Sequence, residues 1–571
     1  MKKLIYIIAI ALLIPIFSGC EDFLDSKSFT SKDSNSFPLN DDDVNMMVNG
    51  VYAMLNVQHA QGINAYTFTA ELVADNCFGG GGKNDIEAQA TSHLMASGVS
   101  NFNSFWADRY TGISRANQTV AALEELVADG PFKNQKIGEV KFLRAFWFFE
   151  LVQMFGDIPL PAQVPKSVKD VETPPEQAPQ KDVFTAIATD LWDAYSTMPA
   201  DKAGVLLSGT VTKWSAAALL ARVFLFYTGF YGESSLPMAE GSLSSAQVIT
   251  ALEDVINNSG YDLLPDFRSL WPYCNKATKP DYEYAADAPD WVEGSANKEV
   301  MFYIKYNPSA SGWGSETTVG YSNSVVLFMS PRDPRSGALF PMGQGWGMCT
   351  VNPKLWNEWP ATDMRRQASI YNQEVEATDY KWGADLQVEE TGLWNKKLVT
   401  TQAYSPTGDL WDTFWRSPLY GSYGSNDIQL GSGSDLILIR FADVLLMHSE
   451  LKKDAAGINK VRARAKLDPI AAYSDAALRA ERRYEFAFEG LRWGDIRRWG
   501  IAGDALNDQY GALIRNMGNA AVPFAAKSSG GVKARYEATK GFFMIPQTQI
   551  SLANGTLKQN AGWPTSSYAS Y

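Results

Sequence analysis

The chain has 571 residues, of which 46% are hydrophobic and 20% are charged, and this is the composition of a folded globular protein with a large core. The formal net charge of −13 argues against a surface that binds nucleic acid or anionic lipid, because such surfaces are basic. Aromatic residues make up 12% of the chain and include 17 tryptophans, an excess that needs a structural or functional explanation.

The N-terminus has the pattern of a lipoprotein signal peptide. Lys2 and Lys3 precede an apolar run over residues 4–17, which is too short to cross a bilayer as a stable helix. The run ends in Phe-Ser-Gly-Cys, and small residues before a cysteine resemble a lipobox. We therefore predict a signal peptide over residues 1–19, acylation such as palmitate at Cys20, and a lipidated tether over residues 20–39. Ordinary secretion with a free Cys20 is the alternative.

The other cysteines and the histidines do not form a recognisable site. Cys77, Cys274 and Cys349 lack the spacing of a disulfide framework or a zinc site, so we predict buried free thiols. The three histidines have no metal-ligand spacing to one another. We predict no cofactor and no metal site, with one open alternative, a calcium loop at residues 40–43, which include the three aspartates 41–43. These three aspartates also suit the start of a helix.

Motifs of enzymes are scarce. The glycine run at residues 79–82 lacks the Ser or Thr of a phosphate loop, because Asn84 follows its lysine. There is no nucleophile elbow of the G-x-S-x-G type. Paired carboxylates for glycoside hydrolysis stay open, since the 63 acidic residues offer many pairs.

Helical periodicity covers the two flanking parts of the chain. We predict helices over residues 44–55, 105–127, 137–155, 183–197, 211–230, 246–257, 437–452, 455–466 and 475–490. Helix pairs of this length, with aromatic and alanine packing positions, favour a mostly α fold of stacked tetratricopeptide-type hairpins. The periodicity is lost between residues 261 and 433, where ten of the tryptophans lie. Large aromatic residues disfavour disorder, so we predict a folded, loop-rich subdomain there.

The stretch ERRYEFAFEGLRWGDIRRWG at residues 481–500 interleaves opposite charges with large aromatic residues. Read as a helix, it places Tyr484, Phe488 and Leu491 on one face. Charges at three- and four-residue spacing between apolar side chains indicate a buried ion-pair network, which is costly unless every member is paired. An anion-binding or acid/base site is the functional alternative.

This stretch resembles the C-terminal motif of the SusD/RagB family of surface glycan-binding lipoproteins. Four further segments are similar to motifs of the same family: LRAFWFFELVQMFGDIPL at 143–160, IRFADVLLMHSE at 439–450, INKVRARA at 458–465 and FFMIPQTQISLANGTLKQNAGW at 542–563. With the lipobox and FWADRYTGISRAN at 105–117, the resemblance covers nearly the whole length.

The resemblance implies an architecture and a role. One SusD-like domain would span residues 40–571, with four divergent tetratricopeptide-type helix pairs as scaffold (about 40–258 and 435–500). A loop-rich glycan-binding region (about 261–433) and a C-terminal closure (501–571) would complete it. The protein would bind glycan without catalysis, at the outer surface of the outer membrane, and deliver it to a SusC-like TonB-dependent transporter.

The resemblance also indicates where glycan contacts lie, in the loops after the second helix and in the central region. Aromatic rings pack on sugar faces, while amide and carboxylate groups bond to hydroxyls. Trp346 is our first candidate, because flanking glycines let the backbone project its ring, and Trp313 is the second. The other candidates are Trp271, Tyr273, Trp291 and Tyr321, together with the polar residues Asp75, Asn76, Asp85 and Asn101.

Two rival functions stay open. One is a glycoside hydrolase anchored at the same surface, and the other is a transporter lid that captures non-glycan nutrients such as peptides.

Overall fold

The structure is a computed structural model that describes residues 37–59, 62–97, 102–161, 176–306, 322–332, 339–377, 380–412, 432–564 and 568. The predicted signal peptide, Cys20 and nearly all of the tether lie outside these ranges.

Helices dominate the two flanking parts of the chain. The N-terminal part contains α1 Asp41–Gln58, α2 Tyr66–Val73, α3 Ile86–Ser92, α4 Asn103–Leu126, α5 Pro131–Phe155, α6 Gln180–Thr197, α7 Lys213–Tyr231 and α8 Ser245–Asn258. Among the described residues of the central part, the α-helices are short: α9 Ser324–Met329, α10 Pro353–Glu358, α11 Met364–Ser369 and α12 Gln373–Glu376. The C-terminal part contains α13 Phe441–Lys452, α14 Ala456–Arg464, α15 Asp475–Glu485, α16 Arg492–Arg498, α17 Ala502–Asn507, α18 Gly531–Thr539 and α19 Gln547–Leu552.

The strands of the described part are short and pair two by two, always antiparallel. In chain order they are β1 Cys77–Gly80, β2 Ile158–Pro159, β3 Gln177–Ala178, β4 Ser235–Pro237, β5 Ser242–Ser244, β6 Val300–Ile304 and β7 Met348–Val351, followed by β8 Ile370–Asn372, β9 Leu393–Asn395, β10 Gln402–Tyr404, β11 Leu410–Asp412, β12 Leu436–Arg440, β13 Leu513–Ile514 and β14 Val522–Pro523. Two pairs join distant parts of the chain: β1 with β7, and β6 with β12.

The long helices begin where the sequence supplies caps. The Asn40 side chain accepts a hydrogen bond from the amide of Asp43 at 3.0 Å and so starts α1. Capping boxes start α7, at Thr212, and α8, at Ser244. Helices that follow one another along the chain pack together: α4 packs on α5, α5 on α6, α6 on α7 and α7 on α8. Helix α8 then packs on α13. The predicted mostly helical, tetratricopeptide-like scaffold is confirmed.

Three predicted helices were wrong at one end. The helix predicted over 137–155 begins six residues earlier, at Pro131, directly after Gly130. Residues 437–440 do not start the helix at 437–452 but belong to strand β12, where alternating Leu and Ile side chains pair with β6. The helix predicted over 475–490 ends at Glu485, because Lys397 and Arg440 donate hydrogen bonds to the Glu485 carbonyl and replace the next helical turn. Phe488 then has a positive φ of 70°, so it does not share a helical face with Tyr484 and Leu491.

The predicted buried ion-pair network is confirmed. Glu485 is completely buried and accepts from Arg365 at 2.9 Å, as well as from Arg440 and Arg464. Arg440 also reaches Glu489 at 2.7 Å. These arginines lower the pKa of Glu485 well below its ordinary value, although burial alone acts in the opposite direction. A second cluster joins Arg482 to Asp443 and Asp495, and Arg498 to Glu450.

Cys77, Cys274 and Cys349 are buried free thiols, as predicted. Within the described ranges, no helix is both long enough and apolar enough to span a bilayer.

Candidate functional site

An open cleft lies between the N-terminal helices and the central region. Its volume is about 680 Å³, within the range of small-ligand sites. We call it the Trp346 cleft. Its aromatic lining comes from Phe68 of α2, Phe102 before α4, Phe328 of α9, and Trp346. Its polar lining is Asn64, Asn84, Asp85, Glu87, Asn103 and Ser104.

The backbone around Trp346 is held close to the end of α9. The amide of Trp346 donates to the Leu327 carbonyl at 2.9 Å, and the amide of Gly347 donates to the Ser330 carbonyl at 2.7 Å. A Cβ at Gly345 would lie 2.3 Å from the Leu327 carbonyl oxygen, so only glycine fits there. The half-buried indole meets the Phe328 ring edge-on, with centroids 4.7 Å apart. These contacts hold the backbone at Trp346 and place its ring against Phe328 at the wall of the cleft.

Arg332 joins the aromatic wall of the cleft to its polar wall. Its Nη1 donates to the Trp346 carbonyl at 3.0 Å and to Asp85 Oδ2 at 3.1 Å. The amide of Gly82 also donates to Asp85, at 2.6 Å. Burial raises the pKa of Asp85, while the Gly82 amide and Arg332 act against this shift. Burial also raises the pKa of Glu87.

The cleft therefore combines an aromatic wall with amide, hydroxyl and carboxyl groups, which suits a ligand with apolar faces and many hydroxyls. Within the described part of the chain, no group of three or more His, Cys, Asp or Glu side chains is placed to hold a metal ion.

Of the predicted site residues, the structure brings Trp346 and Asp85 together in this cleft. Trp313, Tyr321 and Asn101 lie outside the described residues. Trp291 is half-buried and lines a different, small cavity beside Trp271.

The prediction that Trp271 and Tyr273 contact a glycan is wrong for the structure described, because only 1% and 0% of their surfaces are exposed. Both belong to a separate aromatic core that surrounds two buried lysines. Lys397 Nζ lies 4.8 Å from the Trp271 ring, and Lys396 Nζ lies 5.9 Å from the Tyr273 ring. These rings stabilise buried cations rather than sugars.

The prediction for Asp75 and Asn76 is corrected for a similar reason. Arg492 clamps the buried Asp75 carboxylate with hydrogen bonds of 2.6 and 2.7 Å, and Arg483 adds a third contact at 3.1 Å. Burial tends to raise the pKa of Asp75, but the two guanidinium groups lower it overall. Asn76 is fully buried and accepts from Arg483 Nε. Both residues belong to the ion-pair core.

The sequence analysis did not identify several residues that line the cleft, nor Arg332, which bonds to two of the lining residues. Phe328 and Arg332 occur in no motif, and only the fold brings them to Trp346. Asn103 and Ser104 lie two and three residues after the predicted Asn101, and Asn84 directly precedes Asp85, so closeness to these candidates was the available indication.

Two family models match the chain. One, described as the SusD family, matches residues 341–563, and the other, described as starch-binding associating with outer membrane, matches residues 22–225. A SusD-like protein of Formosa agariphila, P2, is 25% identical over 523 residues, which are 87% of this chain and 91% of that protein. A SusD-like protein of Bacteroides ovatus is 23% identical over 70% of this chain and 66% of its own length.

Solved structures share the fold. A laminarin-binding SusD-like protein superposes with a TM-score of 0.69 at 23% identity, over 92% of this chain and all of that one. Surface glycan-binding protein A from Bacteroides thetaiotaomicron, solved in complex with laminarihexaose, gives a TM-score of 0.67 at 19% identity, over 91% of this chain and 99% of that one.

Proposed function

Because the chain belongs to the SusD/RagB family, we propose that it is a cell-surface glycan-binding lipoprotein. It captures oligosaccharide or polysaccharide in the Trp346 cleft and delivers it to a SusC-like TonB-dependent transporter in the outer membrane. The observation that carries the proposal is the fixed indole of Trp346, facing amide and carboxyl groups across an open cleft.

Binding of this kind is weak for each sugar unit. A ring stacked on a sugar contributes about 0.5–1.5 kcal/mol beyond area burial, and each hydrogen bond contributes about 1 kcal/mol net because water competes for hydroxyls. Retention of a polymer then depends on several contacts to one chain. Trp313, Tyr321 and Asn101 are further contacts in this proposal.

The lipobox supports the localisation. We place Cys20 at the outer membrane as the acylated residue and residues 20–39 as the tether. The variant Cys20→Ser is expected to lose labelling by radioactive palmitate and to leave the membrane fraction. Unchanged labelling would contradict the assignment.

Electrophoresis of the purified soluble protein through native gels that contain single polysaccharides tests the binding function. Laminarin is the first probe, since structures of this fold include a laminarin-binding protein, and starch, fructan, plant and host glycans complete the panel. We expect at least one glycan to retard the protein without release of reducing ends. Steady release would identify a hydrolase, whereas no retardation by any glycan would favour the peptide-capturing lid.

A further inference from the structure

The outer face of α1 carries a row of amide side chains. Asn45, Asn49, Tyr52 and Asn56 follow one another at spacings of four, three and four residues, so they share one face of the helix. The buried face of the same helix is apolar, with Val44, Val48, Val51 and Leu55. Surface helices commonly fill such a face with charged residues, whereas this row contains none.

The row forms one wall of a second cleft, which we call the amide cleft. Its volume is about 440 Å³. The facing walls come from α5, from residues 207–210 and from the end of β6, and their polar side chains are Lys136, Glu139, Ser208, Thr210, Tyr303 and Lys305. None of these residues lines the Trp346 cleft.

Hydrogen bonds hold the walls of the amide cleft in place. Asn56 Nδ2 donates to the Lys305 carbonyl at 2.8 Å, and the Tyr52 hydroxyl accepts from the Val211 amide at 2.9 Å. The Tyr303 hydroxyl bonds to Ser208 Oγ. In contrast, the side-chain amide groups of Asn45 and Asn49 make no hydrogen bond to any described residue. The walls are thus held in place, and the two asparagine side chains are available to donate to and accept from a ligand.

The charge balance of the amide cleft favours an uncharged ligand. Lys136 and Glu139 neutralise each other at 3.1 Å, which leaves Lys305 as the one exposed cation among the lining residues. A single cation does not suit a polyanion such as nucleic acid. Amide groups both donate and accept hydrogen bonds, and this matches sugar hydroxyls, which also do both.

The two clefts lie near each other at the C-terminal end of α1. Asn56 lines the amide cleft and Gly62 lines the Trp346 cleft. These two residues are six positions apart in the sequence, so their Cα atoms are at most about 22 Å apart even if the segment is fully extended. One polysaccharide chain is long enough to occupy both clefts.

We propose that the amide cleft is a second glycan subsite, which binds a further stretch of the same uncharged polysaccharide that the Trp346 cleft holds. This inference rests on the proposed function. It makes retention dependent on chain length, because a polymer gains the second contact at no further cost of association, while a trisaccharide does not.

The test uses isothermal titration to compare the wild type with two variants, Asn45→Ala/Asn49→Ala and Trp346→Ala, and with a matched control. The ligands are the polymer that retards the wild type most strongly in native gels and a trisaccharide of the same glycan. Asn45→Ala/Asn49→Ala removes the unused amides and raises helix propensity, so the fold is retained. The control Asn257→Ala removes an exposed amide from α8, outside both clefts. Thermal unfolding checks that all variants are folded.

We expect the double variant to weaken polymer binding about tenfold, with trisaccharide affinity within about twofold of the wild type and no change in the control. Equal polymer affinity of the double variant and the wild type, with Trp346→Ala still weakening binding, would overturn the subsite and leave the proposed function intact. If no panel glycan binds the wild type, both proposals fail. Retention of peptides in place of glycans by the amide cleft would also overturn the subsite.

Discussion

Trp271 and Trp346 come from the same loop-rich part of the chain, yet their surroundings differ. Trp271 is buried in a core where Lys397 lies 4.8 Å from its ring. Trp346 is half-buried at the edge of an open cleft, beside Phe328. One ring stabilises a cation inside the protein, and we propose that the other stabilises a sugar at its surface. The fold decides whether each ring contacts a buried cation or faces the open cleft. Protein stability and glycan binding should therefore depend on different aromatic residues.

The largest expected effect comes from the charge network that adjoins the Trp271 core. Glu485→Ala removes the carboxylate that Arg365, Arg440 and Arg464 share. Removing one partner of a buried ion pair costs about 3–5 kcal/mol, and here three arginines lose a partner. We expect urea unfolding to show that the free energy of unfolding falls by at least that amount, or the variant not to fold at all. Glu374→Ala, at an exposed carboxylate, is the control and should change the free energy of unfolding by less than about 0.5 kcal/mol.

Trp271→Ala should lower stability without lowering affinity. The variant leaves a cavity and removes the ring beside Lys397, and we expect a loss of about 3–5 kcal/mol in the free energy of unfolding. Glycan affinity per folded molecule should stay within about twofold of the wild type. A tenfold loss of affinity, measured well below the unfolding temperature, would mean that the two aromatic regions are not separate in function.

Trp346→Ala should have the opposite effect. Glycan affinity should fall about tenfold or more, because a stacking contact and its buried area are lost together. The free energy of unfolding should fall by less than it does for Trp271→Ala, since this indole is only half-buried. Trp356→Ala is a suitable control, because Trp356 is also half-buried and lies against Arg366, outside the cleft. Equal losses of affinity in the two variants would contradict a specific role for Trp346.

A pH dependence of stability is expected at the edge of the charge network. Burial raises the pKa of Glu71 to about 8, and the amide of Gly490 donates to one of its oxygens at 2.7 Å. Between pH 4.5 and 8 the folded state therefore keeps a proton that the unfolded state releases, so this group makes stability fall as pH rises. We expect Glu71→Gln to lose less stability than the wild type between pH 5 and pH 8 in urea titrations. Parallel pH profiles would show that Glu71 ionises normally.

The sequence predicted the scaffold better than the site. Caps such as Ser244 and apolar periodicity are local, so α4 and α6 to α8 lie within three residues of their predicted bounds, whereas the polar first turns of α5 were missed. The end of α15 depends on Lys397 and Arg440, which are distant in sequence and leave no local indication. Asp75 is likewise paired with Arg492, which lies 417 residues later in the sequence. Its local sequence shows only a polar loop residue and does not indicate this ion pair. Trp346 could be selected because its flanking glycines let the backbone project the ring, whereas the Arg332 contact that holds its carbonyl depends on the tertiary fold.

The most direct test of the central claim is a crystal structure of the protein with the oligosaccharide that it retains most strongly. The account predicts a sugar ring stacked on the indole of Trp346, with hydroxyls bonded to polar residues of the same cleft. A sugar bound elsewhere, with the Trp346 cleft empty, would contradict it.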